Sequence, residues 1–192
     1  MSSALELFMR RAGIKDEVRE ILKELAKYSL KDILSYALKG EIDSTELYRF
    51  LSEKLPEGYP TERFREFMKM EEDHDRKVME IFEALFPGEE PSEIRFKTWS
   101  QVFREGDYRL ETVRDYLDVL SIGMDAEQLS EGVYLMLHDL LENPKHKKTF
   151  LKLAEDEKYH YEFLKREYEF YSKIEAEKAL RELIKELKGS AR

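Results

Sequence analysis

Six residues carry the chemistry this chain could do: Glu41, Glu71, His74, Glu127, Glu157 and His160. They fall into two matching sets. Glu71-x-x-His74 and Glu157-x-x-His160 share one spacing, and Glu41 and Glu127 each precede their pair by thirty residues. Every member of the first set lies 86 residues before its counterpart, as do Leu34-Ser35 before Leu120-Ser121 and Tyr48 before Tyr134. Two Glu-x-x-His pairs alone would be unremarkable; a common offset shared with a preceding Glu is not.

A Glu and a His at i and i+3 lie on one helix face about a turn apart, so both reach one central point. Carboxylate and imidazole donors without thiolate suit iron or manganese rather than structural zinc. Charge agrees with this: four ionised Glu contribute −4, neutral His nothing, and two divalent ions would balance them. The alternative is a bundle with buried ion pairs. Against it, no Lys or Arg falls on the same stripes, and a carboxylate in a dry core costs several kcal/mol unless something compensates it.

The elements that must position these residues are helices. Residues 29–54 carry the stripe Leu34, Ala37, Leu38, Glu41, Thr45, Tyr48 and Leu51, with Ser29 as N-cap and Pro56-Glu57-Gly58 as stop. A second stripe runs from Thr61 through Phe64, Phe67, Glu71, His74, Val78, Ile81 and Leu85 to Pro87-Gly88. The short loop between them predicts an antiparallel hairpin. A third helix follows Val113, Tyr116, Leu117, Leu120, Glu127, Tyr134, Leu137 and Leu141 to Asn143-Pro144. A fourth begins near Lys147 and follows Phe150, Leu153, Glu157, His160 and Leu164; its charged continuation is a tail of the same helix or a fifth one. Asp16 to Lys27 reads as a short amphipathic helix. The expected organisation is a single all-α domain over 1–192. It comprises a first hairpin (29–86), a crossover (87–112) with a short helix around 92–103, a second hairpin (113–171), and helical extensions at 1–28 and 172–192.

Composition excludes several alternatives. The 192 residues hold no cysteine, which removes disulfides, zinc ribbons and thiolate iron–sulfur sites. Lys and Arg number 33 against 42 Asp and Glu, a net charge of −9, which disfavours nucleic-acid binding by counterion release. Only 8 Gly and 5 Pro leave too little turn material for a many-stranded β fold. No apolar run approaches the roughly 20 residues of a membrane span, and the N-terminal MSSALELFMRRAGIK lacks a signal-peptide core. The expectation is a cytoplasmic protein with neither membrane nor nucleic acid as partner.

The six-residue set on four helices resembles the ferritin-like superfamily, and within it the rubrerythrin family, over residues of about 30 to 165. The resemblance implies a ferritin-like four-helix bundle holding two Fe ions per chain, or Mn. Glu71 and Glu157 would bridge the metals, Glu41 and Glu127 would be terminal, and each metal would take one His. Tyr48 and Tyr134 resemble the family's tyrosines that hydrogen-bond to ligands. Two departures stand out. Two-domain rubrerythrins carry a cysteine-rich rubredoxin domain; this sequence has no cysteine, so electrons must come from an external donor protein such as a rubredoxin. They also carry an extra Glu three residues after the third-helix ligand; Ser130 stands there, with Glu131 beside it as the candidate extra ligand.

The resemblance implies reduction of peroxide or dioxygen at a bridged dimetal site, with a manganese catalase-like reaction as a variant, in a homodimer or larger homo-oligomer. Ferroxidase or iron-storage activity is the alternative, and a non-catalytic helical interaction protein a second. Other residues read as ordinary structure. Tyr48 and Tyr134 suit core tyrosines equally well, and Glu131 and Glu46 read as solvent-facing. His138 reads as a helix-surface or satisfied core residue, His146 as part of a solvated turn, and Met68, Met70 and Met124 as gap fillers. Tyr159, Tyr161, Tyr168 and Tyr171 would pack an extra helix or a subunit contact, and Trp99 would anchor the crossover.

Overall fold

The computed structural model describes residues 3–11, 13–93 and 110–190, and the regular structure among them is entirely helical. Four helices form the bundle: α3 (Leu30–Lys54), α4 (Thr61–Leu85), α5 (Val113–Leu140) and α6 (Pro144–Ser190). Two short helices precede them, α1 (Ala4–Met9) and α2 (Asp16–Leu25).

Local chemistry sets the boundaries. Ser29 caps α3 by accepting from the Asp32 amide at 3.2 Å. Thr112 and Asp115 form a reciprocal capping box at the start of α5. Between α3 and α4 the chain reverses at Gly58, whose φ of +96° lies in the left-handed region that favours glycine. Pro144 opens α6, where its missing N–H has no partner to lose. That start places His146 on the helix rather than in a turn before it. The charged tail continues α6 instead of forming a separate helix, giving 47 residues and a length of about 70 Å. The sequence pattern did not reveal α1, which rests on a Ser3–Glu6 capping box of only six helical residues. The expected crossover helix and Trp99 lie mostly or wholly within residues 94–109, outside the described residues.

Helices α3 and α4 pair as one hairpin and α5 and α6 as another, with α3 packed on α5 and α4 on α6. Tyr48 of α3 meets Glu127 of α5, and Tyr134 of α5 meets Glu41 of α3. Seven residues forward on one helix therefore match seven back on the other, so α3 and α5 run antiparallel. With α3 also antiparallel to α4, the connection into α5 must span the length of the bundle. That is the ferritin-like topology, not a simple up-and-down one.

The apolar interior is divided in two. One cluster holds Leu34, Leu38, Val78, Phe82, Leu129, Val133, Phe150 and Leu153, with Phe8, Val18 and Leu22 from α1 and α2. The other holds Leu47, Leu51, Phe64, Phe67, Tyr116, Leu120 and Leu164. Gly132 brings α5 close to the N-terminal helices: a Cβ there would lie 2.5 Å from Leu22 Cδ1 and 3.2 Å from Phe8. Tyr168 and Tyr171 pack against the second cluster, and Tyr171 stacks on Tyr59 within the same chain. Beyond the bundle, Leu180, Leu183 and Leu187 on the α6 tail are exposed. Among the described residues no helix is long and apolar enough to cross a membrane.

Candidate metal centre

The six polar residues occupy the level between the two apolar clusters. On every bundle helix the flanks are apolar: Leu38 and Leu47 about Glu41, Phe67 and Val78 about Glu71 and His74, Leu120 and Leu129 about Glu127, Ala154 and Leu164 about Glu157 and His160. Each of the six is at most 1% exposed. Helical periodicity puts them on the inner face, and the two hydrophobic plugs exclude water from above and below.

Two four-residue groups emerge, each with donor atoms within 4.8 Å of one another: Glu41, Glu71, His74 and Glu157, and Glu71, Glu127, Glu157 and His160. Glu71 and Glu157 belong to both. His74 Nδ1 lies 3.0 Å from Glu71 Oε2, 2.9 Å from Glu157 Oε1 and 3.4 Å from Glu41 Oε2. His160 Nδ1 lies 2.9 Å from Glu71 Oε1, 3.7 Å from Glu157 Oε2 and 3.5 Å from Glu127 Oε2. Each shared carboxylate thus sends one oxygen to each imidazole. The outer carboxylates divide differently. Tyr48 donates to Glu127 Oε1 at 2.6 Å and Tyr134 donates to Glu41 Oε1, leaving the two Oε2 atoms for the clusters.

Protein hydrogen bonds do not satisfy this arrangement. One Nδ1 can serve one carboxylate, yet each faces three. Glu41 Oε2, Glu71 Oε1, Glu127 Oε2, both Glu157 oxygens and both His160 nitrogens are buried without a hydrogen-bond partner. Orphaned buried acceptors on this scale are costly, and a cation at the centre of each group would satisfy them. Donor atoms about 2.1 Å from a shared divalent ion, with bonds at right angles, sit about 3 Å apart, close to the shorter spacings above. The residues fit a metal.

Electrostatics supports the same division of roles. Burial pushes Glu41 well above the usual carboxylate range, reinforced by Glu157, and holds Glu127 at about 8. Burial acts on Glu71 and Glu157 too, but the imidazoles bring Glu71 below its ordinary value, and hydrogen bonding from Glu127 together with the two imidazoles does the same for Glu157. Both imidazoles rise against the effect of their own burial because carboxylates surround them. Burial and the adjacent carboxylates raise Tyr48 and Tyr134, which keeps them protonated donors.

Glu131 is 5% exposed rather than solvent-facing, because Arg11, ahead of α2, reaches across α5 to pair with it. Its carboxylate is turned to that guanidinium, and it belongs to neither four-residue group. Glu46 is half-buried and pairs with Arg49. His138 lies 3.1 Å from Asp139, away from the centre. Met68, Met70 and Met124 pack against the second apolar cluster. Sequence reasoning missed Asp156, whose Oδ2 lies 3.6 Å from His74 Nε2 while Lys152 Nζ donates to its Oδ1 at 2.8 Å. A break in the repeat was the available signal: the position 86 residues earlier is Met70.

An antiparallel pair of helical hairpins closed around a buried Glu–His cluster defines the ferritin-like class. The rubrerythrin family profile matches residues 32–168, and the chain belongs to that family, whose members bind di-iron. Its fold is similar to that of a solved hypothetical protein from Pyrococcus furiosus, with a TM-score of 0.72 and 26% identity, over 79% of this chain and 96% of that one. None of the curated proteins matches it.

Proposed function

We propose that this chain is a non-haem di-iron, or di-manganese, redox protein that reduces peroxide or dioxygen with electrons from a separate donor protein. One observation carries the reading: Glu71 and Glu157 each present one oxygen to each of two imidazole-capped groups, the arrangement that bridging carboxylates require. Glu41 and His74 would complete one metal site, Glu127 and His160 the other. Bound there, two redox-active ions would supply a two-electron couple for cleaving an O–O bond.

The chain's own residues do the rest. Tyr48 and Tyr134 each hold one oxygen of a terminal carboxylate, fixing the direction of the other. Asp156 faces the outer nitrogen of His74, so that Nδ1 stays directed at the centre. The apolar plugs keep bulk water away from reactive species. Exposed apolar residues on the α6 tail offer contact area for a homo-oligomer, and the setting consistent with an external reductant is the cytoplasm.

The test is anaerobic loading with ferrous iron followed by peroxide or air-saturated buffer in a stopped-flow spectrometer. Two irons per chain and reoxidation faster than that of free ferrous iron are expected, and the faster oxidant names the substrate. Reoxidation no faster than free iron would reject the reading. Iron accumulating far above two per chain would turn it into ferroxidase or storage activity.

A further inference from the structure

We propose that the cleft lined by Lys77, Lys145, Lys148, Thr149, Lys152 and Leu153 is the docking face for an acidic one-electron redox protein, connected to the metal centre by Lys152, Asp156 and His74. The proposal rests on the redox reading above and adds where the electrons enter.

The first observation is a local inversion of charge. A chain of net charge −9 repels an acidic donor over most of its surface. Between α4 and α6, however, a cleft of about 360 Å³ is ringed by four lysines. Lys77 pairs with Asp73, and Lys152 with Asp156 and, at 3.8 Å, Glu155. Among the described residues no carboxylate pairs with Lys145 or Lys148, so the cleft keeps positive charge to offer. Charge complementarity of this kind selects partners and speeds their encounter, and the small contacts typical of electron-transfer pairs need little more.

The second observation is independent: the same cleft is the polar approach to the centre. Lys152 Nζ donates to Asp156 Oδ1 at 2.8 Å, and Asp156 Oδ2 faces His74 Nε2 at 3.6 Å. The Lys152 side chain is 61% exposed, that of Asp156 17% and that of His74 2%, so two side chains separate solvent from a ligand ring. Among the described residues the other imidazole has no such route. His160 Nε2 is buried without a partner, and Phe67, Tyr48 and Tyr159 rings surround it at centroid separations of 4.2, 5.6 and 6.2 Å. The repeat explains the difference, since Met70 stands where Asp156 stands in the second hairpin. Among the described residues the polar approach to the centre therefore lies on the His74 side, and its rim is basic. Each encounter oxidises the donor by one electron; two supply the electron pair that converts one peroxide and two protons to two waters.

The probe is ¹⁵N-labelled oxidised rubredoxin, titrated into the metal-loaded full chain at low salt with amide shifts as readout. Lys145→Glu with Lys148→Glu is compared with Lys185→Glu with Lys188→Glu on the α6 tail, which changes net charge equally. Melting temperature and metal content report folding of both. The cleft pair should weaken rubredoxin binding at least tenfold and abolish its weakening by sodium chloride, while the tail pair changes it less than twofold. Equal binding by both pairs overturns the proposal. So does displacement of rubredoxin by millimolar phosphate but not by chloride of equal ionic strength, which makes the cleft a small-anion site. Binding does not need turnover, so absent peroxide reactivity would reject the redox reading while leaving the docking result to be scored by itself.

Discussion

Loading the centre with metal should expel about four protons per chain near neutral pH. In the metal-free protein, burial and mutual repulsion hold Glu41 well above its usual range and Glu127 at about 8, while the surrounding carboxylates keep both His74 and His160 charged. Glu71 and Glu157 are ionised. Two imidazolium charges then balance two carboxylates, and four protons occupy the core. Two divalent ions would replace those protons charge for charge. The product of the two binding constants should fall about ten-thousandfold for each pH unit below 7, four protons being exchanged. Stability follows the same linkage. A carboxyl whose folded value is raised stabilises the fold below its unfolded value and loses that contribution as pH rises toward the folded one. For Glu127 the gap between 4.5 and about 8, at about 1.4 kcal/mol for each pH unit, comes to about 5 kcal/mol. Metal-free protein should therefore melt lower at pH 8 than at pH 5, and metal-loaded protein should melt higher. The assay is a pH-stat titration with Mn²⁺ under argon, which avoids protons from iron oxidation, paired with melting curves. Two metals bound with almost no protons released would refute the neutral-core reasoning.

Removing a bridging carboxylate should cost both metals, whereas removing a terminal one should cost mainly its own; Glu157→Ala and Glu127→Ala compared by elemental analysis should give counts near zero and near one. Tyr48→Phe and Tyr134→Phe leave one oxygen of Glu127 or Glu41 without its donor. Each should weaken metal binding by about tenfold in a chelator competition, with the fold intact. Gly132→Val would drive a side chain into Leu22 and Phe8. A loss of about 1–3 kcal/mol in denaturant unfolding is expected as the N-terminal helices are displaced, with metal content retained.

The buried Glu–His cluster was legible because its residues violate the pattern that contains them. Glu41, Glu71, His74, Glu127, Glu157 and His160 fall where Leu or Ile belongs, and the 86-residue offset says they do so twice. Helices α3 to α5 were legible for the ordinary reason that caps, prolines and apolar spacing agree. What escaped notice depends on contacts between distant segments. Arg11 reaches Glu131 across 120 positions, and no local pattern on α5 distinguishes a Glu buried by a visiting arginine from one facing water. Helix α1 is too short for periodicity to mark it. The sequence leaves His146 before the helix because Pro144 reads equally well as a stop or as the first residue of a helix.

The repeat also shows where the two halves of the centre cease to be equivalent. Ligands, tyrosines and apolar plugs follow the offset, so the inner geometry is close to two-fold. The surroundings of the outer imidazole nitrogens do not: Asp156 lies beside His74, whereas Met70 stands at the matching position and aromatic rings enclose His160. A carboxylate beside the outer nitrogen makes an imidazole a stronger donor to a metal, and a hydrocarbon wall does not. The His74 side should therefore favour the more highly charged ion and the His160 side the less charged one. Two ions held in a symmetric cradle would be given different work by its asymmetric surroundings. That difference comes from an aspartate whose only mark in the sequence is that its counterpart is a methionine.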